Sequence, residues 1–421
     1  MRFLRNLVVA CSSALLLAAC NGGSAFNPAS PLAGGRASPA TAGYKQLYAF
    51  KGTPDGASPY SGLVAVGKTL YGTTLNGSSN YCGASCGGNE CYLGCGTVFS
   101  VDSSGKEHVV YNLRGNFESA QDGSWPFAGL TSLGGALYGT ASSAGAHSHG
   151  AVYTVNTSGQ ESVLYSFTGG SADGEAPEAS LIAYRGNLYG TTVYGGGTGC
   201  GGAGCGTVYA VTPAGKESVL YAFTGGSDGA RVYAGLAAVG GHLYGATLEG
   251  GQGCGSTGCG TIFDVNLHGK GRIIYRFSGG PNGAFPNGLV AVNGVLYGTT
   301  EGGGSKNSGT FFSITRGGTL TTLYSFLDIP DGNLPGANLI YSKGNFYGTT
   351  VGGGSKGIGT VFKVNKSGSE TVLYSFQGGT DGSDPQGPVY LFGGNLYGTT
   401  TQGGNTGCNG SGCGTVYKLP E

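Results

Sequence analysis

Leu70-Tyr71-Gly72-Thr73-Thr74 decides the fold, because the chain keeps returning to it. Copies with few changes start at Leu137, Leu188, Leu243, Leu296, Phe346 and Leu396, at intervals of 67, 51, 55, 53, 50 and 50 residues. A second marker, Gly-Thr-Val-Phe or a close variant, starts at Gly96, Gly150, Gly206, Gly260, Gly309, Gly359 and Gly414. A third sets two aromatics two residues apart: Tyr48 with Phe50, Tyr165 with Phe167, Tyr221 with Phe223, Tyr275 with Phe277, Tyr324 with Phe326, and Tyr374 with Phe376. Tyr111 with Leu113 is its imperfect member. Each marker occurs seven times, so the chain is an array of seven units.

Each unit reads as four short strands. In the third they cover roughly 180–184, 187–192, 206–212 and 217–223, rich in Val, Leu, Tyr, Phe and Thr and bounded by glycine. Short connections such as Arg185-Gly186-Asn187 join the first strand to the second. Tight polar turns such as Thr157-Ser158-Gly159-Gln160 join the third to the fourth, so both are hairpins. The fourth-to-first connection is longer, as in 169–179, and suits a crossing to the next unit. No stretch from 44 onward has a helical period. The prediction is an all-β, seven-bladed β-propeller with four antiparallel strands per blade, a closed ring without a long exposed edge. A β-helix needs shorter coils, and an open sandwich does not repeat seven times.

The first strand, starting at Tyr44, is of the fourth type, and the last, ending at Leu419, is of the third. Residues 44–50 are therefore predicted to supply the outer strand of the last blade and close the ring. The rival arrangement lets each unit, beginning with its Tyr-x-Phe strand, form a blade unaided.

Composition agrees with a folded ring. Of 421 residues 90 are glycine, about 21% and roughly three times ordinary usage. With 39% hydrophobic, 11% aromatic and only 10% charged residues, the chain is the reverse of a disordered one. The glycines lack the three-residue period of collagen. Most sit at fixed turn positions in the seven units. Lys and Arg total 21 and Asp and Glu total 21, so nothing in the balance points to nucleic acid.

The repeat, Tyr-x-Phe…Gly-Gly-x-x-Asp-Gly…Leu-Tyr-Gly-Thr-Thr…Gly-Gly…Gly-Thr-Val-Phe, resembles the GloVer tandem-repeat family of bacterial secreted proteins over about residues 44–420. The resemblance implies an exported, variously anchored repeat protein and carries no established activity.

Residues 1–19 contain Arg2 and Arg5, then an apolar stretch from Leu7 to Ala19, as a secretion signal does. Leu17-Ala18-Ala19-Cys20 is similar to a bacterial lipoprotein junction, with Cys20 the lipidated residue. An ordinary signal with a chance cysteine is the alternative. Asn21 then points by resemblance to the outer membrane or cell surface. Residues 20–43, rich in Ala, Ser, Gly and Pro, read as a flexible tether, and 44–421 as one domain. Membrane association is expected only through this anchor, and the protein is expected to be a monomer.

Twelve cysteines include Cys11 and Cys20; the other ten lie between second and third strands of four units. Cys200 with Cys205, Cys254 with Cys259, and Cys408 with Cys413 are each five apart. In an exported chain these read as disulfides. In the first unit, Cys82–Cys95 enclosing Cys86–Cys91 is preferred because Cys95 aligns with Cys205; pairing Cys82–Cys86 with Cys91–Cys95 competes. A zinc site in that four-cysteine loop is the lesser reading, since two-cysteine loops cannot complete a tetrahedral set alone. No metal and no cofactor is predicted.

In the crossings, Asp-Gly starts at Asp55, Asp122, Asp173, Asp228, Asp331 and Asp381, with Asn282-Gly283 in the remaining unit. A ring of carboxylates for calcium or sugar is one reading. The preferred one is a turn in which Asp or Asn caps backbone and Gly takes positive φ, because Asn282 substitutes freely. Residues that break the symmetry are better ligand-binding candidates: Trp125, His147, Tyr194, Glu249 and Glu301. Glu249 and Glu301 are taken as matching positions in neighbouring units, able to act as acid and base on a glycoside. Solvated loop charges are the bland alternative for both, and rim packing for Trp125. His147 with His149 lacks an evident third metal ligand. No nucleophile elbow or phosphate-binding glycine loop is present.

The expected function is a cell-surface or secreted, non-catalytic binding or adhesion propeller for protein or polysaccharide. An extracellular carbohydrate-active lyase or hydrolase is the alternative, and a structural envelope protein the third.

Overall fold

The computed structural model describes residues 43–80, 82, 94–115 and 122–421, all within one compact unit, Ser38–Glu421. The signal, Cys20 and the tether up to residue 42 lie outside the described residues, as does the pair Cys86–Cys91. Seven four-stranded antiparallel sheets form the blades. From inner to outer strand, the first blade is Val64–Val66, Thr69–Thr74, Thr97–Val101 and Glu107–Asn112. The third is Ile182–Tyr184, Asn187–Thr192, Thr207–Val211 and Glu217–Ala222. The last is Tyr390–Phe392, Asn395–Thr400, Thr415–Pro420 and Lys45–Ala49. The N-terminal strand thus pairs with the C-terminal one, Lys45 opposite Lys418 and Ala49 opposite Thr415. The ring closes as the sequence predicts, and the unaided-unit arrangement is excluded.

The repeated pentapeptide can be read residue by residue. Its leucine or phenylalanine is buried in every blade. Its glycine is set by space: a Cβ on Gly72 would stand 2.7 Å from the Phe99 ring, and one on Gly190 2.5 Å from the Tyr209 hydroxyl. Its first threonine bonds across to the next blade, as Thr73 Oγ1 to the Ala128 carbonyl (2.9 Å) and Thr399 Oγ1 to the Ser61 carbonyl (2.8 Å). Its second threonine pairs with the threonine of Gly-Thr-Val-Phe, at 2.8 Å for Thr192 and Thr207. In the second blade both are alanine, Ala141 opposite Ala151. Replacing both partners of a buried hydrogen bond by apolar groups costs little.

Seven apolar clusters hold the disc, each between two adjacent blades. The cluster joining last and first blades contains Phe50, Leu63, Leu70, Phe99, Tyr397 and Val416. Twisted sheets stacked face to face need a filler of this kind at each wedge, and the aromatic of Gly-Thr-Val-Phe supplies it. In the first blade the outer strand carries a bulge where Phe99 and Val98 meet Val109 and Tyr111, which increases local twist.

Hairpins place the two kinds of tight turn at one end of the disc. The loops between second and third strands and the crossings between blades share the other end. Disulfides Cys82–Cys95, Cys200–Cys205, Cys254–Cys259 and Cys408–Cys413 staple four of those loops, and mark an oxidising environment. No helix among the described residues is long and apolar enough to cross a membrane.

Candidate functional site

Each crossing starts by anchoring itself. The Asp of Asp-Gly accepts the hydroxyl of the Tyr-x-Phe tyrosine: Tyr48 to Asp55 (2.7 Å), Tyr221 to Asp228 (2.6 Å) and Tyr374 to Asp381 (2.6 Å). It also accepts a backbone N–H, that of Lys51 for Asp55 and Gln377 for Asp381. In the odd blade the roles reverse, and Asn282 donates its amide to the Tyr275 hydroxyl. The ring of carboxylates is therefore structural. Positive φ follows at Gly56 and Gly229 but is absent at Gly174 and Gly332, where a Cβ would instead meet the threonine side chains of Thr192 and Thr350.

Two residues beyond each of those glycines the backbone does something the sequence hides. Ser58, Trp125, Ala176, Arg231, Phe285, Leu334 and Asp384 all adopt left-handed φ, between 53° and 60°. Such a conformation is unfavourable for any residue but glycine, and most of all for Trp125 and Phe285. It is enforced by the neighbouring blade: each N–H donates to a carbonyl at the end of the preceding loop, as Trp125 to Cys95, Arg231 to Cys205 and Phe285 to Cys259, at 2.8–3.0 Å. The result is seven equivalent, rigid positions carrying seven unlike side chains. Two residues further on, Tyr60, Phe127, Glu178, Tyr233, Asn287, Gly336 and Gln386 form a second variable set.

Side chains from distant blades converge here. Tyr60 and Phe127 meet edge to face at 5.6 Å. Burial raises the Tyr60 hydroxyl pKa, and the carboxylates of Asp384, Glu301 and Glu178, from three other blades, push it further. Glu178 also acts on Tyr233. The burial of Glu178 lifts its carboxyl to about 8 against the opposing pull of Arg231, and burial alone lifts Glu301 to about 7. Asp384 is raised too by burial, although Thr401 (2.6 Å) and Gln386 (2.7 Å) donate to it. Arg231 lies 4.7 Å over the Tyr194 ring and 3.0 Å from Glu249. The site is thus a patch of aromatic faces and half-buried carboxyls, two of them able to hold a proton near neutrality.

Of the predicted residues, Tyr194, Glu249 and Glu301 belong to this convergence, and Trp125 to its left-handed ring. Two expectations need correction. Glu249 and Glu301 do not match: Glu301 directly follows Thr300 whereas Glu249 lies two beyond Thr247. This one-residue offset gives them unlike roles, Glu249 in an ion pair with Arg231 and Glu301 turned into the buried cluster. His147 is exposed and stands apart, while His149 does have a carboxylate neighbour, Glu175, at 3.3 Å. Among the described residues no group of three His, Cys, Asp or Glu side chains is arranged to hold a metal. Sequence reading missed Glu178, Tyr60, Tyr233 and Arg231; the signal available was the pair of variable columns two and four residues beyond the glycine of Asp-Gly.

A second set of carboxyls lies between outer strands. Glu107, Glu161 and Glu217 begin those strands beside Asp55, Asp122 and Asp173 of the preceding blade. Burial first, then the neighbouring aspartate, raises Glu161 and Glu217 to about 7, and Glu107 shifts the same way. Folded pKa values above the unfolded ones mean that stability is fully present below about pH 4.5 and is lost as pH rises through 7. Melting temperature is therefore expected to fall between about pH 5 and pH 8. The triple variant Glu107→Gln, Glu161→Gln, Glu217→Gln should flatten that slope by stabilising the alkaline side; thermal melts across the range check it.

A gluconolactonase from Xanthomonas campestris is 15% identical with a TM-score of 0.41, over 74% of this chain and 86% of that one. A puromycin-hydrolysing peptidase from Mycobacterium tuberculosis is 12% identical with a TM-score of 0.49, over 84% of this chain and 52% of that one. No curated protein matches the sequence. A family model matches in overlapping segments, 35–203, 84–290, 194–344 and 252–421, so all seven repeats described above are covered. The chain belongs to the Gloeobacter/Verrucomicrobia repeat family.

Proposed function

We propose that the protein is a non-catalytic recognition module, exported and lipid-anchored through Cys20 at the outer membrane or cell surface, and that it binds a polysaccharide at the crossing end. The observation that carries this reading is the left-handed ring: the sevenfold scaffold holds one backbone conformation at seven equivalent positions and presents seven unlike side chains from them. Aromatic faces beside carboxyls suit sugar rings, which stack through C–H faces and hydrogen-bond through hydroxyls. Binding of a polysaccharide panel by the full chain tests it. Trp125→Ala and Tyr233→Ala should each weaken the bound polysaccharide about tenfold or more, a cost of about 1–2 kcal/mol. Unchanged affinity in both variants would overturn the assignment of the site.

The carboxyls of Glu178 and Glu301, raised by burial towards neutrality, favour one second reading, a lyase or hydrolase acting on such a chain. Product release abolished by Glu178→Gln or Glu301→Gln would establish it. Glu249 is the weaker acid candidate, because Arg231 holds its carboxylate in an ion pair.

A further inference from the structure

The balanced charge of this chain is not evenly spread. Five turns between third and fourth strands carry an exposed cation: Lys106, Lys216, Lys270, Arg316 and Lys366. Lys68 and Arg185, in turns between first and second strands, are exposed at the same end. Acids there are fewer than cations, and those that begin the outer strands just after these turns, Glu107, Glu161 and Glu217, sit half-buried between strands with pKa values raised by burial. Asp102 bonds the N–H groups of its own turn, Glu421 holds Lys343 at 2.7 Å, and Asp264 takes up Arg272. Most remaining acids stand at the opposite end, in the crossings and the cluster around Tyr60. Antiparallel pairing of Lys45 with Lys418 also fixes where the chain joins the ring. It does so at the turn end, where other blades have their third-to-fourth hairpin.

We infer that this basic end is a docking surface for an anionic phospholipid bilayer, which holds the disc flat with its crossing end turned outward. Two observations agree on the occupant. The cations are spread over five blades as a flat array, which fits a planar surface of phosphates better than a single ligand. The segment leading back towards Cys20 also leaves from this end. That second point rests on the anchor reading; the charge array stands without it.

The test uses the full chain with Cys20→Ser, so that lipidation plays no part, and vesicle co-sedimentation. Binding is expected to phosphatidylcholine vesicles containing phosphatidylglycerol and not to phosphatidylcholine alone, and to weaken as salt shortens the screening length. Charge reversal at the turn end, Lys106→Glu with Lys216→Glu and Lys366→Glu, should lower binding about tenfold or more. Lys306→Glu with Lys356→Glu, in exposed loops of the other end, should leave it unchanged. Circular dichroism and melting confirm that both variants are folded. Equal binding to neutral vesicles, no binding to either, equal effects of the two reversals, or preferential capture by soluble polygalacturonate would each overturn the inference. Lipidation of Cys20 is read separately, from the mass of the native chain.

Discussion

A chain lacking residues 44–50 is expected to lose its cooperative thermal transition and to associate. The strand Lys45–Ala49 completes the last blade by pairing with Thr415–Pro420, most of which is buried. Phe50 is fully buried and meets Phe99 at 5.0 Å, joining last blade to first. Tyr44 stacks on Tyr374 at 3.9 Å and donates its hydroxyl to the Asp381 carbonyl. Truncating one buried phenylalanine costs about 3–5 kcal/mol, so loss of the whole segment approaches the total stability of an ordinary domain. The uncovered edge of Thr415–Pro420 is then free to pair with another copy. Calorimetry and size-exclusion chromatography read both effects. Phe50→Ala provides the milder test, with melting lowered by about 5 °C and the monomer retained. A deletion variant that melts like the intact chain would show that the ring does not depend on its closing strand.

Reduction is expected to be nearly as damaging. Three of the bridges close five-residue separations and Cys82–Cys95 one of 13. Chain-entropy arguments assign about 2 kcal/mol to each short loop and about 3 kcal/mol to the longer, near 9 kcal/mol in all. For a ring of this size that is a drop of about 10 °C in melting temperature under reductant. The bridges also support the site, because the carbonyls of Cys95, Cys205 and Cys259 hold Trp125, Arg231 and Phe285 in their left-handed conformation. Removing Cys254 and Cys259 together should therefore cost about 2 kcal/mol. The loops of the fifth and sixth blades turn without cysteine, helped in the fifth by Asn307, which accepts the Gly303 N–H. A melting temperature insensitive to reductant would leave the bridges without a structural role.

Much of this was readable in the chain itself. Leu70-Tyr71-Gly72-Thr73-Thr74 repeats because each residue has one local duty, fixed by its immediate neighbours in the blade. Local duties leave periodic marks, so seven blades, their strands and even the closing segment follow from spacing and strand type. Glycine at position 72 and its six equivalents is fixed in the repeat, but only the structure shows its cause, the close approach of an aromatic of the third strand.

The functional end was legible only in part. Trp125, Tyr194, Glu249 and Glu301 stand out by breaking the repeat, and the one-residue offset between the two glutamates is itself in the sequence, but only the tertiary structure shows that it gives them unlike surroundings. Trp125, Arg231 and Phe285 give no residue-level sign of positive φ; carbonyls of the neighbouring blade impose it. Tyr60, Glu178, Glu301 and Asp384 come from four different blades far apart along the chain, and only ring closure brings them together. Charge behaved the same way, since a zero sum conceals which end of the disc each cation faces. The sequence determined the blade and its sevenfold repetition, because strand pairing and turn chemistry act over a few residues. Tertiary structure decided the site and the polarity of the disc, because closing the ring sets neighbours that no spacing along the chain records.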